Sequence, residues 1–231
     1  MTPMTFARHL PLALTRPLRA GRQALRRLGL DRRGVAMVEF ALMLPISMTL
    51  FLGGVEGARY VLLHQKVARV AQTMADLTAQ SPVGVMESQI SNLFLSANMI
   101  SDPYNILTDG RVFISAIKGG APSIGNTIIW QRCDGAFGAA SSVIGSSDNK
   151  DVTLPDGTEL EEGVITVIAQ ASFHFEPMFF SVLFPEQTIT HIARYAPRSL
   201  SFGVITDDGS SAKDDCSTNL TQYDSNGNAV S

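Results

Sequence analysis

The sequence predicts an α+β fold in which one long N-terminal helix, membrane-spanning in its first half, packs on a single antiparallel β-sheet domain. Two observations predict this arrangement. An apolar run of membrane-crossing length continues into an amphipathic stretch. Four segments rich in β-branched and aromatic residues then follow it. The part of the chain after the helix is long enough to hold a core of its own.

The first element is a basic leader, residues 1–34. It holds eight arginines and one acid, whereas the rest of the chain has 10 basic and 20 acidic residues. Arginines directly before an apolar span place the N-terminus in the cytoplasm. Because their position next to the span accounts for them, we do not expect nucleic acid as a partner.

The second element is the apolar run, residues 35–55, in which Glu39 is the one ionisable residue. Its 21 residues match the length that a helix needs to cross a bilayer. Pro45 should kink this helix without ending it. The run predicts a single-pass membrane segment in contact with lipid, with everything from residue 56 on the outer side.

The third element continues the helix over residues 56–80, until Ser81 and Pro82 end it. Apolar residues recur there at spacings of four and three, at Leu63, Val67, Val70, Met74 and Leu77. Such a stripe predicts one helical face packed against the sheet rather than a coiled coil, because two heptads are too few for the latter.

The outer α+β domain covers residues 81–205. It should contain a helix over about Val85–Ala97 and then strands at 111–117, 126–132, 163–175 and 187–195. A long interval separates the second strand from the third, so the strand order stays open. The polar, turn-rich tail, residues 206–231, is predicted to be disordered.

Few residues of the outer domain point to chemistry. Cys133 and Cys216 both lie on the outer side, where an oxidising compartment permits a disulfide, and the sequence leaves their pairing open. His174 and His191 lie on neighbouring predicted strands, with Glu176 nearby, but they are better explained as ordinary sheet residues than as a metal site. Nucleotide-binding and nucleophile motifs are absent from the sequence. We therefore expect no cofactor, no metal and no enzymatic activity.

The aromatic residues Trp130, Phe173, Phe175, Phe179, Phe180 and Phe184 are expected to pack in the core. Any of them that is exposed would form a patch for a partner.

Glu39 needs an explanation, because a carboxylate in lipid is unfavourable. If the chain is cut between Gly34 and Val35, a new amino group appears four residues before Glu39. Positions four apart share a helical face. The carboxylate could then pair with that α-ammonium group, its own or a neighbour's, and so set the axial register of packed subunits.

This pattern resembles the processing site of type IV pilin-like precursors. It is most similar to the TadE-like family of minor pseudopilins in tight-adherence (Tad/Flp) pilus systems. The matching positions are Gly34, Glu39, Phe40, Ala41, Pro45, Gly53, Gly54 and Glu56.

The resemblance implies a pilin-like fold and cleavage by prepilin peptidase. It also implies a bacterial inner-membrane location with a periplasmic C-terminal domain. The implied partners are other pilins or pseudopilins and the pilus assembly platform proteins. Whether the protein enters the fibre or stays at its base is left open.

Other interpretations remain. Gly53 and Gly57 form a G-x-x-x-G that permits close helix contact, or merely a flexible exit from the membrane. The whole chain could instead be a signal-anchored binding or sensor domain unrelated to pili, in which Glu39 is incidental. A secretory signal cleaved near residues 55–57 is disfavoured by the length and the charge of the apolar run.

Overall fold

The computed structural model describes residues 34–81, 85–121, 125–145, 152–179, 181 and 183–199. It also describes the short pieces 202–203, 205–206, 208–209, 216, 222–223 and 229–230. Most of the predicted leader, residues 1–33, lies outside the described residues. The chain divides into two compact units, Met1–Leu52 and Gly53–Ser231.

The long helix α1 runs from Val35 to Ala79, 45 residues, with Pro45 inside it. It begins directly after Gly34, where the apolar run begins in the sequence. Its end agrees with the predicted one, although Pro82 lies outside the described residues. Arg198 donates its backbone N–H to the carbonyl of Ala79 at 2.9 Å, so a later segment caps the last turn.

The C-terminal part of α1 packs on the sheet. Its buried residues are Leu63, Val67, Val70, Ala71, Met74, Ala75, Thr78 and Ala79. The prediction for Leu77 was wrong, because its side chain is 42% exposed. Seven residues of a straight α-helix fall about 20° short of two full turns, so residues spaced seven apart gradually rotate away from one face. After Leu63 and Val70, the buried face therefore passes to Thr78 rather than to Leu77.

The short helix α2, Glu87–Ser101, begins later than predicted. Val85–Met86 forms strand β1 instead, which pairs in parallel with β6, Ile205–Thr206. The hydroxyl of Ser101 donates to the carbonyl of Tyr104 at 2.6 Å, and Pro103 stands between them. A single turn, α3, Ile106–Asp109, then leads into the sheet.

Four antiparallel strands form the main sheet: β2 Gly110–Gly119, β3 Asn126–Asp134, β4 Ile165–Phe175 and β5 Gln187–Tyr195. Their spatial order is β3-β2-β4-β5, so β4 inserts beside β2 rather than beside β3. The α+β fold predicted from the sequence, a long helix on one antiparallel sheet, is thus confirmed.

Each face of the sheet is covered by a different part of the chain. Alternate residues such as Ile114 and Ala169 face the helices. The other face is covered by the connection between β3 and β4, which contributes Ile144 and Leu154 to a second apolar cluster. A β-bulge in β3 changes the face toward which its side chains point. Ala116 pairs with Trp130, whereas the next residue, Ile117, pairs with Ile128, so Ile129 is the extra residue. As a result, Trp130 faces the helices and Ile128 faces the connection.

Most of the tail lies outside the described residues. Within the described part, Gln222–Tyr223 (β7) and Ala229–Val230 (β8) form a two-residue antiparallel pair.

Candidate processing and assembly site

Gly34 and Val35 stand at the first turn of α1. Gly34 precedes the helix directly, and a Cβ built on it would meet nothing within 4 Å. Val35, the first helical residue, is 50% exposed. The bond between them therefore lies at a helix start that is uncrowded by the described residues.

Glu39 lies one helical turn beyond Val35, so the two share a face of α1. Both Glu39 and its neighbour Phe40 are exposed. Within the described part of the chain, Glu39 has neither a hydrogen bond nor an ion pair. The preceding arginines lie outside the described residues.

The first half of α1 is mostly apolar and is exposed on all sides. Side chains from Val35 to Phe51 project outward, and the helix contains a stretch long and apolar enough to cross a bilayer, none of it buried. Its hydroxyl groups are satisfied by the helix itself. Ser47 donates to the carbonyl of Leu44 at 3.0 Å, and Thr49 to that of Pro45 at 2.8 Å. In lipid, polar groups need hydrogen-bond partners within the protein, because no water is available there.

Glu56 marks the first turn after the apolar run, and its side chain is fully buried. Arg59, one turn on, approaches its Oε1 at 2.9 Å. The backbone N–H groups of Met178 and Phe179 donate to its Oε2 at 3.0 and 3.1 Å. These two residues belong to the loop 176–186 between β4 and β5, so one carboxylate joins that loop to α1. Charged hydrogen bonds of this kind are among the stronger ones in proteins.

Gly57 contacts the same loop. A Cβ at Gly57 would lie 3.4 Å from Cζ of Phe184, whose ring also packs beside Tyr60 with centroids 5.9 Å apart. A Cβ at Gly53 would meet nothing within 4 Å. Gly57 thus serves an intramolecular contact, and contact of Gly53 and Gly57 with another helix stays a prediction.

The two sheet histidines do not meet. His174 stacks on Phe137 and approaches Oε1 of Glu186 at 2.8 Å. His191 lies on the opposite face, where its Nε2 is 3.1 Å from Nδ1 of His64 on α1. Alternation along paired strands puts these positions on different faces. Burial first, and then the neighbouring His64, hold the pKa of His191 below its usual value. Within the described residues there is no cluster of three or more potential metal ligands.

Cys133 and Cys216 form a disulfide, with their Cα atoms 5.4 Å apart. Cys133 packs with Phe113 and Ala140 on the sheet face that the β3–β4 connection covers. The bond therefore attaches a residue of the tail to β3.

Residues 34–76 match the family model described as TadE-like protein. The chain carries a TadE-like segment. It begins at Gly34, covers the exposed apolar half of α1, and includes Glu39 and Glu56. The resemblance identified from the sequence is confirmed over this segment. Searches among curated proteins and among solved structures found no significant match.

The TadE-like segment and the exposed apolar helix together indicate a membrane-anchored protein related to Tad pili. Two of the contacts made by this segment, those of Glu56 and of His64, were not predicted from the sequence. The available signals were weak: a lone acid in the first turn after an apolar run, and a histidine beside a buried stripe. Their partners lie more than a hundred residues away along the chain.

Proposed function

We propose that this protein is a minor pseudopilin that acts in the assembly or initiation of a Tad/Flp-type pilus. Its role is structural rather than catalytic. The observation that carries the proposal is the TadE-like match, because it begins at the glycine that precedes α1 and extends through the apolar helix. The outer domain, residues 81–205, then meets other pilus components.

In this proposal, prepilin peptidase cuts between Gly34 and Val35. Cleavage leaves an α-ammonium group one turn from Glu39, on the same face of the helix. A lone carboxylate at the centre of a bilayer costs about 2.5–3.5 kcal/mol on insertion scales, so a Glu39 near the edge still gains from such a partner. Pairing between neighbouring subunits sets their axial register.

The proposed location follows from the charge pattern. The arginine-rich leader stays in the cytoplasm, α1 crosses the bacterial inner membrane, and the C-terminal domain lies in the periplasm. The partners are prepilin peptidase, other pilins or pseudopilins, and the assembly platform proteins. A disulfide between Cys133 and Cys216 agrees with an oxidising compartment.

The decisive experiment is N-terminal sequencing of the protein isolated from its native membranes, for the wild type and for Gly34→Val. We expect the wild type to start at Val35 and the variant to keep its leader. A Cβ at position 34 meets nothing within 4 Å, so a processing defect would not reflect misfolding. An intact wild-type N-terminus would leave a plain signal anchor, and a start near Ala58 would mean a released secretory protein.

A second experiment separates the pseudopilin from a signal-anchored sensor. We expect Glu39→Val to abolish surface pili while the protein stays at its normal level in the membrane, measured by electron microscopy and immunoblotting. Met43→Val is the matched control, because Met43 is an exposed apolar residue one turn farther along the helix. Normal piliation in Glu39→Val would contradict the assigned role of Glu39.

A further inference from the structure

The loop 176–186, here called the apolar loop, has an unusual sequence, EPMFFSVLFPE. Six of the seven residues between its two prolines are apolar. Among the described residues of this stretch, Met178 is 67% exposed, Phe179 50% and Leu183 64%. Single exposed apolar residues are common on protein surfaces, but several large ones in one short loop mark an interaction site.

The position of the apolar loop is fixed by α1. Glu56 accepts hydrogen bonds from the loop's first limb, at Met178 and Phe179. On the other limb, Phe184 packs on Gly57 and Tyr60. All these anchor points lie in the two turns that directly follow the apolar run, which ends at Val55. The loop is therefore held beside the place where α1 leaves the bilayer.

Charged groups stand at the base of the apolar loop. Glu176 and Glu186 bracket it, both are exposed, and Glu186 is paired with His174. Between the two carboxylates the sequence carries no ionisable residue. The exposed side chains of Met178, Phe179 and Leu183 can thus enter an apolar phase while the carboxylates stay in water. This pattern limits entry to a shallow layer.

We propose that the apolar loop inserts into the lipid surface at which α1 leaves the membrane. The occupant is the bilayer itself, at the boundary between headgroups and acyl chains, where interfacial segments bury about 5–10 Å of their depth. The inference rests on the membrane anchor of the proposed function. Lipid is favoured over a protein partner because the loop is tied to the first turns beyond the span, where lipid is always present.

The test uses the full-length chain in nanodiscs made from either ordinary or bromine-labelled phosphatidylcholine. Bromine quenches tryptophan emission only at short range. Trp130, the one native tryptophan, is buried in the core and gives the background. Phe179→Trp and Leu183→Trp place an indole on each limb of the loop. Tyr195→Trp is the control, an exposed aromatic position eight residues after Gln187 on β5, about 26 Å along the strand.

We expect bromolipid to lower the added emission of both loop variants about twofold or more, because each indole would lie in the interfacial layer. The control should show no more quenching than the wild type. Near-UV circular dichroism confirms that each variant is folded. If both loop variants co-purify with nanodiscs but show no more quenching than the control, the inference is overturned and the membrane anchor stands. A chain that fails to enter nanodiscs would overturn the anchor and the inference together.

Discussion

At the residue scale, two side chains of α1 join the helix to distant parts of the chain. Glu56 binds the loop between β4 and β5, and His64 binds His191 on β5. Both contacts place a polar side chain in a mostly apolar interface, where a polar group needs a hydrogen-bond partner. They therefore determine position more specifically than the surrounding aliphatic residues do.

Replacing Glu56 with alanine should release the apolar loop. The backbone N–H groups of Met178 and Phe179 lose their charged acceptor, and a hydrogen bond to a charged group contributes about 1.5–3 kcal/mol. Since the loop can turn these groups to water, we expect the free energy of unfolding to fall by about 2–3 kcal/mol. Hydrogen exchange at these two amides should quicken, while exchange at the amides of β4 should not.

Asp76→Ala is the control for this change. Asp76 is another acid of α1, but its ion pair with Arg198 is exposed, so its loss should cost about 0–1 kcal/mol. Equal effects of the two substitutions on stability and on exchange would contradict the anchoring role of Glu56.

The His64–His191 pair should make the domain sensitive to acid. One ring nitrogen must accept at the 3.1 Å contact, so protonating both rings breaks it. The pKa of His191 is lowered in the folded state by burial and by His64, so the unfolded chain takes up the proton first. Stability is then fully present above the unfolded pKa of about 6.5 and decreases as pH falls below it.

Urea unfolding of the full-length chain in micelles at pH 7.5 and 5.5 measures this loss. We expect His191→Gln to lose less stability between the two pH values than the wild type does. Thr188→Ala changes an exposed residue of the same strand and should keep the wild-type dependence. An unchanged pH dependence in His191→Gln would assign the acid sensitivity to other groups.

At the element scale, an ion pair joins α2 to β3. Nη2 of Arg132 lies 2.6 Å from Oε1 of Glu87, a carboxylate at the first turn of α2 that is only 5% exposed. Arg132→Gln leaves this carboxylate buried without its charge partner. We expect a loss of about 3–5 kcal/mol, as is typical when one member of a buried pair is removed.

The same substitution at an exposed pair gives the control. Arg194 on β5 binds Asp156 at 2.9 Å with both side chains largely open to solvent. Arg194→Gln should have little effect on the free energy of unfolding, because water screens an exposed pair. Thermal or urea unfolding of both variants measures the difference, and a small effect at Arg132 would mean that Glu87 reaches water or another donor.

Elements with a strong period were predictable from the sequence. The strand Gln187–Tyr195 and the start of α1 at Val35 agree with their predicted bounds, because alternation and a continuous apolar run are local signals. The predicted start of α2 was wrong, because Val85 instead pairs with Ile205 in a short strand. The predicted burial of Leu77 was wrong, because the rotation of the buried face is small over one heptad and becomes visible only over two.

At the scale of the whole molecule, the candidate site was predictable only in part. Gly34, Glu39 and Phe40 were singled out because they form one short motif; it lies within the TadE-like segment, and the roles of these residues stay predictions. The contacts of Glu56 and His64 depend on pairing across more than a hundred residues, and single-sequence patterns do not encode such pairing. The disulfide between Cys133 and Cys216 was left open for the same reason, since it joins residues 83 apart.

The strand order also decides when a nascent chain can complete its sheet. The β2–β3 hairpin can form early. The other edge of β2 pairs with β4, for example Gly110 with Phe173, so its hydrogen bonds cannot form until β4 has been synthesised. At about 5–20 residues per second, synthesis of residues 135–175 takes a few seconds. During that time β2 presents unpaired N–H and C=O groups, which other chains can join. Synthesis of this domain therefore includes an interval in which a chaperone that covers one strand edge would protect it from aggregation.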